Sequence, residues 1–198
     1  MAYSDSEETT MHLDLYWIPL GAGARTVRFS GRTFELLSAF AQRRPRCDLY
    51  HSALIASDGA TLTTVEMAPV PDEHGRTQRG VVAEGCVGLR PLGTLRTFRY
   101  EVRRWPHGLI PDLPYAVASP VRVASDTASV HHVLDVLASV PTPVWGRDEL
   151  EAGEMWNSNS VISWTLARAG IDTSDLRSPE GGRAPGWEAG LAVAARTP

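Results

Sequence analysis

The stretch CDLYHSALIASDGATLTTVEMAPV, residues 47–70, decides the fold. Its halves, 47–57 and 61–70, are rich in apolar and β-branched residues, and Asp58-Gly59 between them is a hairpin turn signal. An antiparallel pair is therefore expected at the centre of the chain. Because successive strand residues face opposite sides, His51, Ala53 and Ile55 share one face, and Tyr50, Ser52 and Leu54 the other. A turn centred on residues 58–59 brings Glu66 into the neighbourhood of Leu49 and His51, although the sequence does not fix the register.

Strand signals continue outward. VVAEGCVG (81–88) and LRTFRYEVRRW (95–105) read as strands, the second alternating cleanly. AVASPVRVAS (116–125) is interrupted by Pro120 and reads as an edge strand or a loop. Upstream, HLDLYWIPL (12–20) is a strand stopped by Pro19 and the following glycines, and TVRFS (26–30) is a short one. Residues 31–44 place Phe34, Leu37 and Phe40 on one helical face, ending at Pro45.

The last third is helical. Residues 126–140 begin at an Asp cap and present Val130, Val133, Leu134 and Leu137 together. EMWNSNSVISWTLARAG (154–170) carries a second helix, capped by Asn157 or Ser158 and ended by Gly170. Beyond residue 175 the chain is rich in Gly and Pro, with a short final helix over WEAGLAVAARTP. Strands followed by helices give an α+β class: a β-meander of about five strands packed against helices. The expected organisation is a disordered stretch at 1–10, one domain over 11–175, and a loop-rich tail over 176–198.

A chain of 198 residues with 43% hydrophobic and 21% charged residues fits one globular domain. The net charge of −4 gives no basic field for nucleic acid. No apolar run approaches the length of a membrane span, and the start, MAYSDSEETT, lacks a signal-peptide pattern. Two cysteines, Cys47 and Cys86, make neither a disulfide framework nor a metal site and read as small buried hydrophobes. The expected setting is cytoplasmic. No metal, cofactor or nucleic-acid partner is signalled, and the oligomeric state is open.

Three residues attract chemistry. His51 sits on a strand of small and apolar residues, so it is either a satisfied core histidine or a site residue. Glu66, on the next strand, would fix and charge-stabilise that imidazole if it lies close, and otherwise is a solvent-facing carboxylate. Ser158 stands at a helix start, where the dipole and free backbone N–H groups favour a nucleophile and can hold an oxyanion. A serine still needs a base, and His51 serves only if the hairpin packs against that helix. No G-x-S-x-G elbow is present.

In chain order, a strand histidine (YHSALIA), a glutamate on the next strand (VEM) and a helix opening Ser158-Asn159-Ser160-Val161-Ile162 resemble the circularly permuted NlpC/P60 papain-like proteins. The likeness is to the YaeF/YiiX type and, more distantly, to lecithin:retinol acyltransferase-like proteins. It covers residues 47–70 and 154–170. The resemblance implies a permuted papain-like fold, a small barrel packed on a helix, and a hydrolase or acyltransferase acting on an amide or ester. Ser158 would be the nucleophile in place of the family's cysteine, His51 the base and Glu66 its orienter, with Asn157, Asn159, Tyr50 and Trp156 around the substrate. Oxygen for sulfur is the departure, since a hydroxyl must be fully activated by its base. It leaves three explanations: a genuine serine variant, a scaffold that binds a peptide or acyl ligand without turnover, or an engineered replacement of cysteine by serine. Beside them stands a fold in which Ser158 is only a cap.

Overall fold

The computed structural model describes residues 10–20, 47–70 and 80–196. The strands are β1 (His12–Pro19), β2 (Asp48–Ser57), β3 (Leu62–Pro69), β4 (Val81–Cys86), β5 (Arg99–Pro106), β6 (Val121–Ala124) and β7 (Gly182–Arg183). The helices are α1 (Thr127–Val136), α2 (Ser158–Arg168) and α3 (Trp187–Arg196). The strand expected at 26–30 and the helix expected at 31–44 lie outside the described residues.

The sheet runs β4-β5-β3-β2-β1-β6, all antiparallel, and β7 pairs in parallel with the start of β2. Two expectations are corrected here. The sheet is open rather than a barrel, and it is no simple meander, because β5 inserts between β3 and β4. Residues 95–98 also leave the strand expected there and form 3-10 turns. Leu95 and Phe98 are exposed in those turns, so their alternation with polar residues marks no buried face.

The hairpin closes on Ser57↔Leu62, with a four-residue loop instead of two. Asp58 sets it, its carboxylate accepting from the N–H groups of Ala60 (3.0 Å) and Thr61 (2.6 Å). Leu54 then pairs with Val65, two residues out of the register implied by a turn centred on 58–59.

Alternation sorts the sheet into two faces. Leu13, Leu15 and Trp17 of β1 share the main core with Tyr50, Leu54 and Ala56 of β2, Val65 and Met67 of β3, and Tyr100 and Val102 of β5. On this face lie α1, through Val130, Val133 and Leu134, with Leu137 in the turn after it, and α2, through Val161, Ile162, Trp164 and Leu166. The opposite face holds a second, small cluster of Ile18, Ala53 and Ile110.

Helix α2 is buried from Ser158 through Leu166, polar and apolar residues alike. A helix apolar or close-packed all round belongs between layers, and α3 covers its outer side. Its end is a Schellman turn: Gly170 (φ 73°) donates to Ala167 O and Ile171 to Leu166 O. The tail beyond residue 175 is thus structural, with Trp187, Ala189, Val193 and Ala194 buried.

Candidate functional site

The start of α2 is built from polar side chains whose bonds serve the fold. Asn157, in extended conformation, is the N-cap: its Oδ1 accepts from the N–H groups of Asn159 (2.8 Å) and Ser160 (3.4 Å). Ser160 Oγ accepts in return from Asn157 N (3.1 Å), completing a capping box. Ser158, the first helical residue, is buried and is not the cap. Two of the free N–H groups at this helix end, those of Asn159 and Ser160, are taken by Asn157.

The same side chains tie down two other segments. Asn157 Nδ2 donates to Pro185 O (2.8 Å), and Asn159 Nδ2 donates to both Pro185 O (2.9 Å) and Tyr50 O (3.0 Å). Asn159 Oδ1 accepts from Ser52 Oγ (2.9 Å), so this buried amide uses both donors and its acceptor. Ser160 Oγ donates to Gly186 O (2.7 Å), Ser163 Oγ to Trp187 O (2.7 Å), and Glu154 Oε2 accepts from Gly186 N (2.7 Å). Gly186 has φ 83°, and a Cβ there would stand 2.6 Å from Asn157 Oδ1. The Asn-Ser-Asn-Ser run is a clamp joining α2, β2 and the entry to α3.

His51 is not part of it. Ser52, bonded to Asn159, and Tyr50 and Leu54 in the main core point toward α2. His51 faces the other way, opposite Ile18, beside the small cluster. The sheet thus separates its imidazole from Ser158. Burial holds the imidazole below its ordinary pKa, and the carboxylate of Asp112, the charge acting on it, works the other way.

Glu66 shares the face of His51 but is bound elsewhere. Paired with Arg103 in the β3–β5 register, it accepts from Arg103 Nη1 (3.2 Å). The same guanidinium donates Nε to Glu101 (2.9 Å) and Nη2 to Pro69 O (3.1 Å). Burial raises the pKa of Glu66, and Arg103 partly offsets that. Of the residues expected around a substrate, Asn157 and Asn159 are spent in the clamp. Tyr50 lends its carbonyl to that clamp and its ring packs on Gly182, while Trp156 is buried. Burial also raises the Tyr50 phenol pKa, helped by Asp48.

Sequence reasoning missed Glu154, Ser52, Ser163 and the Pro185-Gly186 acceptors of the clamp. The available signal was the density of small polar residues in a helix otherwise apolar on every side. Among the described residues no cluster of His, Cys, Asp and Glu has metal-holding geometry, and no helix is long and apolar enough to cross a membrane. Compared with known protein families, characterised proteins and solved structures, the chain matches none of them.

Proposed function

We propose that this protein works by binding rather than by turnover: a papain-like scaffold of the permuted type that takes a peptide or acyl ligand, with serine where a nucleophile would stand. One observation speaks against turnover at Ser158, and binding is the reading that remains. Ser52 donates to Asn159 on α2, which turns the neighbouring His51 to the opposite face of the sheet. Without a base in reach, a serine hydroxyl is a poor nucleophile.

The test is labelling with a serine-directed fluorophosphonate, alongside turnover of ester and amide panels. The expected result is no adduct that Ser158→Ala removes, no turnover, and no activity gained by Ser158→Cys. A Ser158-dependent adduct, or turnover lost in both Ser158→Ala and His51→Ala, would install the hydrolase or acyltransferase reading instead.

A further inference from the structure

A cleft of about 560 Å³ opens between residues 87–88 and 145–149, on the β4 side of the molecule and apart from the α2 clamp. That volume is in the range of small-ligand sites, roughly 300–1,000 Å³. Its walls are fixed by backbone bonds: Trp145 N donates to Cys86 O (2.8 Å), Gly88 N to Trp145 O (3.1 Å), and Gly146 N to Trp156 O (2.9 Å). The half-buried Trp145 indole is braced edge-on by Tyr100, ring centroids 5.8 Å apart. Gly88 (φ 74°) and Gly146 (φ 83°) also line the cleft, and a Cβ on either would meet nothing within 4 Å beyond its own chain neighbours.

The polar groups at the rim are held before any ligand arrives. Arg147 Nε donates to Gly88 O (2.6 Å), leaving its two terminal nitrogens outside any hydrogen bond among the described residues. Asp148 accepts from the N–H groups of Ala152 (2.7 Å) and Gly153 (2.8 Å), and a carboxylate has further lone pairs to offer. Glu149 and Arg90 neutralise each other in a bidentate pair.

We infer that this cleft binds a saccharide ring. An indole in the lining of the cleft suits the flat, C–H-lined face of a sugar ring. A fixed donor, Arg147, and a fixed acceptor, Asp148, suit hydroxyl groups, each of which donates and accepts. Arg147 and Asp148 also cancel in charge, as Arg90 and Glu149 do, so a neutral polyhydroxylated ligand fits better than an ion. Rim groups already immobilised lose little entropy on binding. The inference does not depend on whether Ser158 is acylated.

The experiment is two-dimensional amide NMR of the full chain titrated with methyl glucopyranoside, methyl galactopyranoside, N-acetylglucosamine and a β-linked glucotriose. Saturable shifts centred on Gly88, Gly146 and Arg147 are expected with at least one of these. Trp145→Ala should abolish them. Arg147→Met, which leaves the indole in place should Trp145→Ala fail to fold, should weaken binding about tenfold, the loss of a hydrogen bond to a charged group. Ser158→Ala should change nothing. No shift with any of the four sugars, shifts centred elsewhere, or the same shifts produced by acetate but not by sugars would each overturn the assignment.

Discussion

His51 shows what a single buried titratable group does when it has no catalytic partner. Its folded pKa lies below the ordinary 6.5 because burial penalises the imidazolium. As pH falls through 6.5, the unfolded chain gains a proton that the folded His51 refuses, so stability drops until the lower, folded pKa is reached. Above that window the residue is neutral in both states and contributes no slope. His51→Gln should therefore shrink the loss of Tm between about pH 7.5 and about pH 5.5; an unchanged slope in thermal melts would sink this assignment. Glu66 runs oppositely: its folded pKa lies above 4.5, so its contribution is present below 4.5 and is lost as pH rises through the folded value. The sequence shows His51 on a strand and which neighbours share its face. It does not show which face meets α2, because β2 is apolar on both: Tyr50, Leu54 and Ala56 on one side, Ala53 and Ile55 on the other. Alternation locates a side chain only where one face is wet.

At the scale of elements, what local chemistry writes was legible. Asp126 caps α1 by accepting from Ser129 N (2.8 Å), and Gly170 ends α2. The apolar faces of α1 and β1 follow from their periodicity. What pairs across long separations was not legible. The hairpin register depended on the Asp58 side chain spanning a four-residue loop, and the place of β5 beside β3 depended on partners more than thirty residues apart. The clamp at α2 belongs to this second kind, since its acceptors come from residues 50 and 185–187. The same contact makes a prediction at Gly190. A Cβ there would lie 2.0 Å from Ser163 Oγ and 2.2 Å from Ser160 O. The hydroxyl can rotate away, but the carbonyl is held in α2. Alanine gains about 1 kcal/mol in helix propensity over glycine, whereas forcing two packed elements apart costs about 1–3 kcal/mol. Crowding should win. Gly190→Ala is expected to lower the unfolding free energy in urea titrations, and a neutral or stabilised variant would mean that α3 does not pack this closely on α2.

For the molecule as a whole, the C-terminal segment completes what the N-terminal strand begins. β1 is an inner strand, and its Trp17 ring meets Trp187 of α3 with centroids 4.8 Å apart. β7 pairs with the start of β2, while Pro185 and Gly186 accept three side-chain hydrogen bonds from the α2 clamp. Composition makes residues 176–198 look like a loop-rich tail, because Gly and Pro reflect turn chemistry and say nothing about burial. The fold instead uses those turns to bring α3 over α2. Ending the chain at residue 175 would remove Trp187, whose loss alone is worth about 3–5 kcal/mol by analogy with large-to-small core changes. It would also uncover α2 and leave Asn157 and Asn159 without their acceptors at Pro185. The buried Asn159 amide, stripped of that acceptor, costs about 1–3 kcal/mol where water cannot replace it. Together these losses match the roughly 5–15 kcal/mol of net stability of an ordinary domain. A chain ending at 175 should thus lack a cooperative thermal transition and bind a hydrophobic dye such as ANS, while the full chain melts cooperatively and does not. If the shortened chain melts cooperatively at a similar temperature, the domain ends before α3, and the clamp does not hold the fold together.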